Sequence, residues 1–270
     1  MEDGSRVFAT PVSTYPTMVV DSEEEAINNN LRSPQIVNAL GGPACRASIT
    51  EDSEGNTFIV REGVEGVTVK GNKDQLGDAT ATSAEDTMAA AYFVGNQDLH
   101  GANMVIDTDD NVTIIDHDSA GEGATGLADM RQYTRHNRAN GDSDTIEHKV
   151  YDNAHQIVSG EQDLPVAEGT DHYEYANKAA TKAVRRSYVD PSYDAPSGNR
   201  PSEMQSAPDG VSSTSDFGTY DRVQVVDKKG SIVDGTVVRI TDQSVHIDSD
   251  ASYETIEVSD DSLNRVVEVE

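Results

Sequence analysis

One segment of the sequence, residues 92–121, concentrates the side chains that could do chemistry. A helical pattern ends at Gly95, a polar loop follows, and two short apolar strands come after the loop. The polar side chains of the loop and of the second strand's end are Asp98, His100, Asn103, Asp116 and Asp118. Carboxylate and amide oxygens suit Mg²⁺, a hard cation that takes one or two carboxylates together with substrate phosphates. A further carboxylate beside such a metal can accept the proton of an attacking hydroxyl group.

The order of these residues resembles the catalytic segment of atypical protein and lipid kinases. That group includes the phosphoinositide kinases, the toxin kinases of bacterial persistence modules and the secretory-pathway kinases. Their loop has the pattern Gly-(Asn)-x-Asp-x-His-x-x-Asn, which residues 95–103 match position by position. Their metal-binding strand end is similar to residues 114–118, Ile-Ile-Asp-His-Asp. The resemblance therefore implies a kinase-like fold.

The resemblance also implies a role for each polar residue of the segment. Asp98 would be the catalytic base, and His100 would stabilise the loop. Asn103 and Asp116 would bind the metal of a Mg²⁺–ATP complex, with Asp118 as a second acidic contact. The alternative is chance, because an acidic chain places Asp and Asn in many turns; the order and spacing of the motif favour the kinase-like interpretation.

The segment upstream fits the kinase pattern less completely. A kinase-like amino-terminal lobe needs a glycine-rich turn between two strands and a basic residue on a later strand. Residues 36–46 predict a strand, a turn at Gly41 and Gly42, and a second strand, although an ordinary turn is the alternative for these glycines. By the resemblance, this turn and Arg61 would bind the nucleotide, Arg61 standing where the family has Lys, with Lys70 as the nearest alternative. Few residues separate Arg61 from the next helix, so we expect an abbreviated lobe.

The elements that position these residues predict an α+β domain over residues 20–188, after an extension at 1–19. A helix with acidic residues in its first turn begins near residue 21, and Ser83 begins a second helix with a capping box. Two hairpins are expected, at 47–50 with 57–61 and at 104–107 with 111–115. Further helices are expected at 126–138, 144–158 and 170–187.

The carboxyl-terminal part of the chain has a different pattern. Pro, Ser, Gly and Asp dominate residues 189–218, which predicts a linker. Residues 219–270 contain short β-branched runs separated by polar turns, which predict a small all-β, SH3-like barrel. The five expected strands are 222–226, 232–240, 244–248, 253–258 and 265–269.

Composition narrows the classes of function. The 270 residues include 49 acidic and 20 basic residues, a net charge of −29. This excess excludes a nucleic-acid binder that acts through a basic face, and no apolar run approaches the roughly 20 residues of a membrane span. The first residues lack the basic flank and apolar stretch of a signal peptide, so we expect none. The single cysteine, Cys45, is expected to be a small core residue.

The strong acidity with few Lys resembles proteins of extremely halophilic archaea and of their viruses. At molar salt the Debye length falls to about 3 Å, which makes such a surface tolerable. Intrinsic disorder is the rival explanation of this composition, but the periodic segments argue against it.

Two functions are therefore open. The first is Mg²⁺–ATP-dependent phosphoryl transfer to a hydroxyl acceptor, in the cytoplasm of a halophilic archaeon or in the virion of its virus. The second is a non-catalytic structural or assembly role in a haloarchaeal virus particle, at the capsid, portal or neck, with a degenerate kinase-like fold as scaffold. In either case protein partners are expected to dock on the barrel and the linker.

Overall fold

The structure is a computed structural model, and it divides the chain into two compact units, Met1–Ala180 and Thr181–Glu270. The described residues are 7–14, 22–70, 78–96, 99, 101–118, 120, 142–208, 211–241, 243–251 and 254–269. Helices and antiparallel sheets are both present, so the α+β prediction is confirmed. The helix expected at 126–138 lies outside the described residues, as do Asp98 and His100. No helix among the described residues is long and apolar enough to cross a membrane.

The first helix of the chain, α1 (Glu23–Ala39), is longer than expected. It begins after Ser22, whose hydroxyl accepts a hydrogen bond from the Glu25 amide at 3.1 Å. It then continues through Pro34 to Ala39, so the strand expected from residue 36 is wrong. The reason is burial, because Ile36 and Val37 lie on the same face of α1 as the other buried residues of the helix.

The second helix, α2 (Asp78–Tyr92), is the centre of the first unit and packs against α1 and the strand Val112–Ile114. It begins before Ser83, so the predicted capping box is wrong. The Ser83 hydroxyl instead accepts a hydrogen bond from the Val112 amide at 2.9 Å, and the Thr87 hydroxyl donates to the Val112 carbonyl at 2.8 Å. Because both hydroxyls lie on one face of α2, they fix the strand that leads to Asp116.

Two three-stranded antiparallel sheets also help to position the residues of the kinase-like motif. The first has the order β1 (Val7–Pro11), β3 (Thr57–Glu62) and β2 (Ala47–Glu51), which confirms the first hairpin. Its strand β1 comes from the segment expected to be an extension.

The second sheet has the order β4 (Gly66–Thr68), β5 (Met104–Asp107) and β6 (Val112–Ile114), which confirms the second hairpin. Residues 43–45 run beside β6, where the Cys45 amide donates to the Ile114 carbonyl at 2.9 Å. Cys45 is buried, and this burial raises the pKa of its thiol to about 11.

Two further helices agree with the sequence. α3 (Ser143–Ser159) packs against α2, and α4 (Asp171–Ser187) follows it along the chain. Asp142 caps α3 by accepting a hydrogen bond from the Thr145 amide at 2.9 Å, and Gly160 ends it in the left-handed conformation. The boundary between the two units falls inside α4, upstream of the linker expected at 189–218.

The second unit is built around one five-stranded antiparallel sheet, whose strands confirm the five predicted ones. In chain order they are β7 (Arg222–Val226), β8 (Ile232–Ile240), β9 (Ser244–Ser249), β10 (Thr255–Ser259) and β11 (Val266–Val269). The spatial order is β10-β9-β8-β7-β11, so the last strand returns to pair with the first. Among the described residues no pairing joins β10 to β11, and the sheet is not a closed barrel.

The core of the second unit lies on one face of this sheet. Val225, Val237 and Ile247 are fully buried there, as the alternation along their strands requires. The predicted linker contains short 3-10 turns, including Ser202–Met204, and the Met204 side chain is fully buried. Ser202–Met204 contacts β11 and the 3-10 turn Asp260–Arg265, so this segment packs within its own unit.

Candidate functional site

The site is centred on an ion-pair cluster that joins β3 to the end of β6. The Arg61 guanidinium Nη2 lies 2.7 Å from Asp118 Oδ1 and 3.4 Å from Asp116 Oδ1. The Arg61 side chain is only 14% exposed. The structure thus brings Arg61 to two carboxylates that lie more than 50 residues later in the chain, and the sequence analysis selected all three residues.

Helix α1 contributes a residue that the sequence analysis missed. Asn30 Oδ1 accepts hydrogen bonds from Arg61 Nε at 3.0 Å and from Arg61 Nη2 at 2.7 Å. Its Nδ2 donates to Asp118 Oδ1 at 2.9 Å, so the amide bridges the cation and the carboxylate. The available signal was the run Asn28-Asn29-Asn30 inside a helix, because Asn is a poor former of helix interiors.

The neighbouring Asn29 extends the network to α4. Asn29 Nδ2 donates to the Asp118 carbonyl at 3.1 Å, and its Oδ1 lies 3.1 Å from His172 Nε2. Because Asn29 presents its oxygen to the ring, His172 Nε2 is the donor in this pair. Burial, with the nearby charge of Arg32 as the second cause, lowers the pKa of His172 to about 4, so the ring is neutral near pH 7.

Backbone and amide contacts fix the strand end that carries the carboxylates. Asn96 Nδ2 donates to the Asp116 carbonyl at 3.2 Å, and the Asn103 carbonyl accepts from the Ile115 amide at 2.9 Å. The Asp118 amide donates to Asp116 Oδ1 at 3.2 Å. The loop residue Asn103 is therefore held beside the strand end, as the motif order predicts.

Burial governs the protonation of this strand end. It raises the pKa of Asp118 to about 7, an effect increased by the Asp116 carboxyl and opposed by Asn30 and Arg61. His117, between the two carboxylates in sequence, is fully buried, and burial lowers its pKa to about 3. Neither ring nitrogen of His117 has a hydrogen-bond partner among the described residues.

A cavity of about 460 Å³ opens beside this cluster. Its polar end is formed by Arg61, Asn103 and Asp116, whereas Asp118 is not part of the lining. The remaining lining residues come from both sheets and the segments after them, and are Phe8, Thr10, Glu62, Val64, Gly66, Thr68, Val105 and Ile115. The cavity therefore combines a cation, two carboxylates and an amide with several apolar side chains.

The two glycines of the predicted nucleotide-binding turn lie elsewhere in the fold. The Gly41 amide donates to the Asn38 carbonyl at 3.2 Å and the Gly42 amide to the Val37 carbonyl at 3.0 Å, the hydrogen bonds of a helix C-terminal cap. Gly41 has a φ of 82°, which an L side chain rarely adopts. A Cβ on Gly42 would approach Ala90 Cβ to 2.8 Å, so this glycine permits close packing of α1 and α2.

The oxygen donors at the polar end are the types that Mg²⁺ prefers. Asn103 and Asp116 line the cavity, and Asp116 Oδ1 also accepts hydrogen bonds from Arg61 and the Asp118 amide. Asp118 Oδ1 is bonded to Arg61 and Asn30. Among the residues that the structure describes, no three His, Cys, Asp or Glu side chains form a metal cluster. The donor set fits a magnesium ion that is held by one or two protein oxygens and completed by phosphate and water.

The alternative basic residue, Lys70, takes a different position. Its backbone amide donates to the Gly101 carbonyl at 2.7 Å, which joins the end of β4 to the polar loop, and its side chain does not line the cavity.

A comparison with known proteins adds no relative: no protein-family model and no curated protein matches this chain.

Proposed function

We propose that the first unit is a kinase-like domain that binds Mg²⁺–ATP in the 460 Å³ cavity and transfers its γ-phosphoryl group to a hydroxyl acceptor. One observation carries this proposal. Arg61, Asn103 and Asp116, which come from a strand, a loop and a strand end, line the same end of one cavity. These are a phosphate-binding cation and two oxygen donors, the parts that phosphoryl transfer requires.

Each residue has a distinct role in this proposal. Arg61 would contribute its positive charge to the phosphate end of the cavity, and Asn30 and Asp118 hold the guanidinium in one orientation. Asn103 and Asp116 would hold the magnesium ion, which when bound neutralises charge on the phosphates. Asp98, in the order of the motif, is the proposed acceptor of the hydroxyl proton.

The apolar part of the cavity is suited to a nucleobase. Phe8 on β1 is 61% exposed. It lines the cavity together with Val64, Val105 and Ile115. A planar base could pack against these walls while its phosphates reach Arg61.

The second unit is proposed to be an SH3-like module on which protein partners dock. Its last strand returns to its first strand after a 3-10 turn, Asp260–Arg265, and this topology supports the SH3-like class. We infer from the charge of −29 that the protein works at high salt, in a halophilic archaeon or in the particle of its virus.

The test is the binding of Mg²⁺–ATP, measured by calorimetry in molar KCl and again at low salt. Asp116→Asn removes one proposed metal ligand, and Asp109→Asn, in the exposed turn between β5 and β6, is the matched control. We expect binding that Asp116→Asn weakens at least tenfold and that Asp109→Asn leaves unchanged. No binding by the folded wild-type protein at millimolar nucleotide would refute the proposal.

A second function, assembly without catalysis, is supported by a different observation. Both amides of the Gly41–Gly42 pair are bonded within the cap of α1, so this pair presents no amides to a phosphate. Arg61 already has two carboxylate partners. A structural protein of a haloarchaeal virus particle that keeps a degenerate kinase-like fold would have both features, and it would fold normally without binding Mg²⁺–ATP.

A further inference from the structure

The second unit has a cavity of its own, a polar groove of about 610 Å³ on the outer face of its sheet. The lining residues lie on β8, β9, β10 and the β8–β9 turn, and are Arg239, Thr241, Gln243, Ser244, His246, Glu257 and Ser259. The sheet buries its apolar residues on the opposite face. The groove therefore belongs to the side of the sheet that does not form the core.

A β-bulge creates the charged row that crosses this groove. Val237 pairs with Ile247 in the core, and the register then shifts so that Arg239 pairs with His246. His246 in turn pairs with Glu257. In a regular strand Arg239, two residues after the core residue Val237, would face the core. The bulge instead places a cation, an imidazole and a carboxylate in one line across three strands.

Arg239 has no acidic partner among the described residues, in contrast to Arg222 and Arg185 of the same unit. It makes no ion pair or hydrogen bond with a described residue, whereas Arg222 pairs with Asp250 at 2.5 Å and Arg185 with Glu203 at 2.6 Å. The chain has 49 acidic residues for 20 basic ones. An arginine at the edge of a groove that pairs with no described carboxylate is available for an external one.

The floor of the groove supplies hydroxyl groups. Ser244 is only 5% exposed although it lies on the outer face, and its Oγ is 3.3 Å from His246 Nε2. The Thr241 Oγ1 lies 3.1 Å from Ser244 Oγ, and Ser259 pairs with Ser244 across the strands. These groups can donate or accept hydrogen bonds along the length of the groove.

We propose that this groove binds an extended, acidic segment of a protein partner, with the guanidinium of Arg239 on a carboxylate of that segment. Glu257, on the far side, would accept from a backbone amide or a basic side chain of the same segment. The groove crosses three strands, about 10 Å, which is the length of about three extended residues. Glu257 repels a doubly charged phosphate more strongly than a singly charged carboxylate, so one peptide carboxylate on Arg239 fits the charges of the groove better. The inference rests on the docking role proposed for the second unit and is independent of nucleotide binding.

The test is a selection of random heptapeptides on the full-length protein and on two variants. Arg239→Gln removes the proposed carboxylate ligand, and Arg222→Gln, on the same face of the sheet, is the matched control. We expect wild type and Arg222→Gln to enrich peptides that contain Asp or Glu, and Arg239→Gln to lose this enrichment. An enriched peptide should then bind Arg239→Gln at least tenfold more weakly than Arg222→Gln, and replacing its acidic residue by the amide should give the same loss.

The possible outcomes distinguish peptide binding in the groove from docking elsewhere on the second unit. Enriched peptides without an acidic residue, or peptides that bind Arg239→Gln as tightly as wild type, would show docking elsewhere and overturn the groove proposal. No enrichment on folded wild-type protein would overturn both. Inorganic phosphate at millimolar concentration should not displace the peptide, and displacement would identify a general oxyanion site instead.

Discussion

Each unit contains an arginine ion pair, which is largely buried in the first unit and exposed in the second. In the first unit the Arg61 side chain is 14% exposed, and it is bonded to Asn30 and Asp118 within a network that spans three elements. In the second unit the Arg222 side chain is 44% exposed, and its pair with Asp250 lies at the surface. The difference indicates which ion pair the stability of the fold requires. A charge that is removed from water destabilises the fold unless it is paired, whereas a charge in contact with water does not need a partner.

The largest expected effect comes from removing the cation of each pair. Arg61→Met leaves Asp116 and Asp118 close together without a counter-charge, so we expect a loss of about 3–5 kcal/mol in the free energy of unfolding. Arg222→Met breaks a solvated pair and should cost less than about 1 kcal/mol. Urea unfolding of both variants in the same salt measures the difference. Equal losses would mean that the Arg61 cluster is not desolvated as the structure indicates.

The next effect concerns pH and tests the link from the cluster to α4. Because burial lowers the pKa of His172 to about 4, the folded state resists protonation while the unfolded state protonates near pH 6.5. The unfolded state therefore binds more protons between these values, and stability falls as the pH drops from about 6.5 to 4.

The measurement is a comparison of wild type with His172→Gln, which keeps a donor for Asn29 but cannot titrate. Between pH 7 and pH 4 the wild type should lose up to about 3 kcal/mol more stability than the variant. The difference between the two proteins removes the contribution of the many carboxylates. If both proteins lose the same stability, His172 is not buried as a neutral ring.

The same contrast explains what the sequence could and could not predict. In the second unit, apolar and polar residues alternate with period two, and each predicted strand forms close to its expected position. In the first unit the hairpins were predicted from the same kind of pattern. The continuation of α1 past Pro34 was not predicted, because the burial of Ile36 and Val37 outweighs the helix-breaking tendency of the proline.

The candidate site shows more clearly which features the sequence could not predict. The order of the motif was enough to select Asn103 and Asp116, and the resemblance of the upstream segment selected Arg61, with Lys70 as the alternative; the fold brings the first three to one cavity. The sequence could not select Asn30 or His172, because their contacts with the cluster depend on how α1 and α4 pack. The nucleotide-binding role predicted for Gly41 and Gly42 assumed that a strand precedes them. The end of α1 precedes them instead, so the turn is the C-terminal cap of this helix.

A smaller effect compares glycines of the two units. Gly42→Ala places a Cβ 2.8 Å from Ala90 Cβ and 2.9 Å from Val37 Cγ1, so α1 and α2 must separate. We expect a loss of about 1–3 kcal/mol. Gly198, in a turn of the second unit, has no atom within 4 Å of an added Cβ, and Gly198→Ala should change stability by less than about 1 kcal/mol. Thermal unfolding distinguishes the two; a neutral Gly42→Ala would contradict the close packing of these helices.

The smallest effect compares one buried histidine with one that is partly exposed. His117 is fully buried with both ring nitrogens unbonded to described residues, whereas His246 contacts Ser244 at 3.3 Å on the outer face of its sheet. An unsatisfied buried polar ring costs free energy, so His117→Leu should leave stability unchanged or raise it by up to about 1 kcal/mol. His246→Leu, at a site open to water, should stay within about 0.5 kcal/mol of wild type. A loss above about 2 kcal/mol in His117→Leu would show that the ring has a partner in the folded protein, and Mg²⁺–ATP binding by the variant would then report whether that partner belongs to the site.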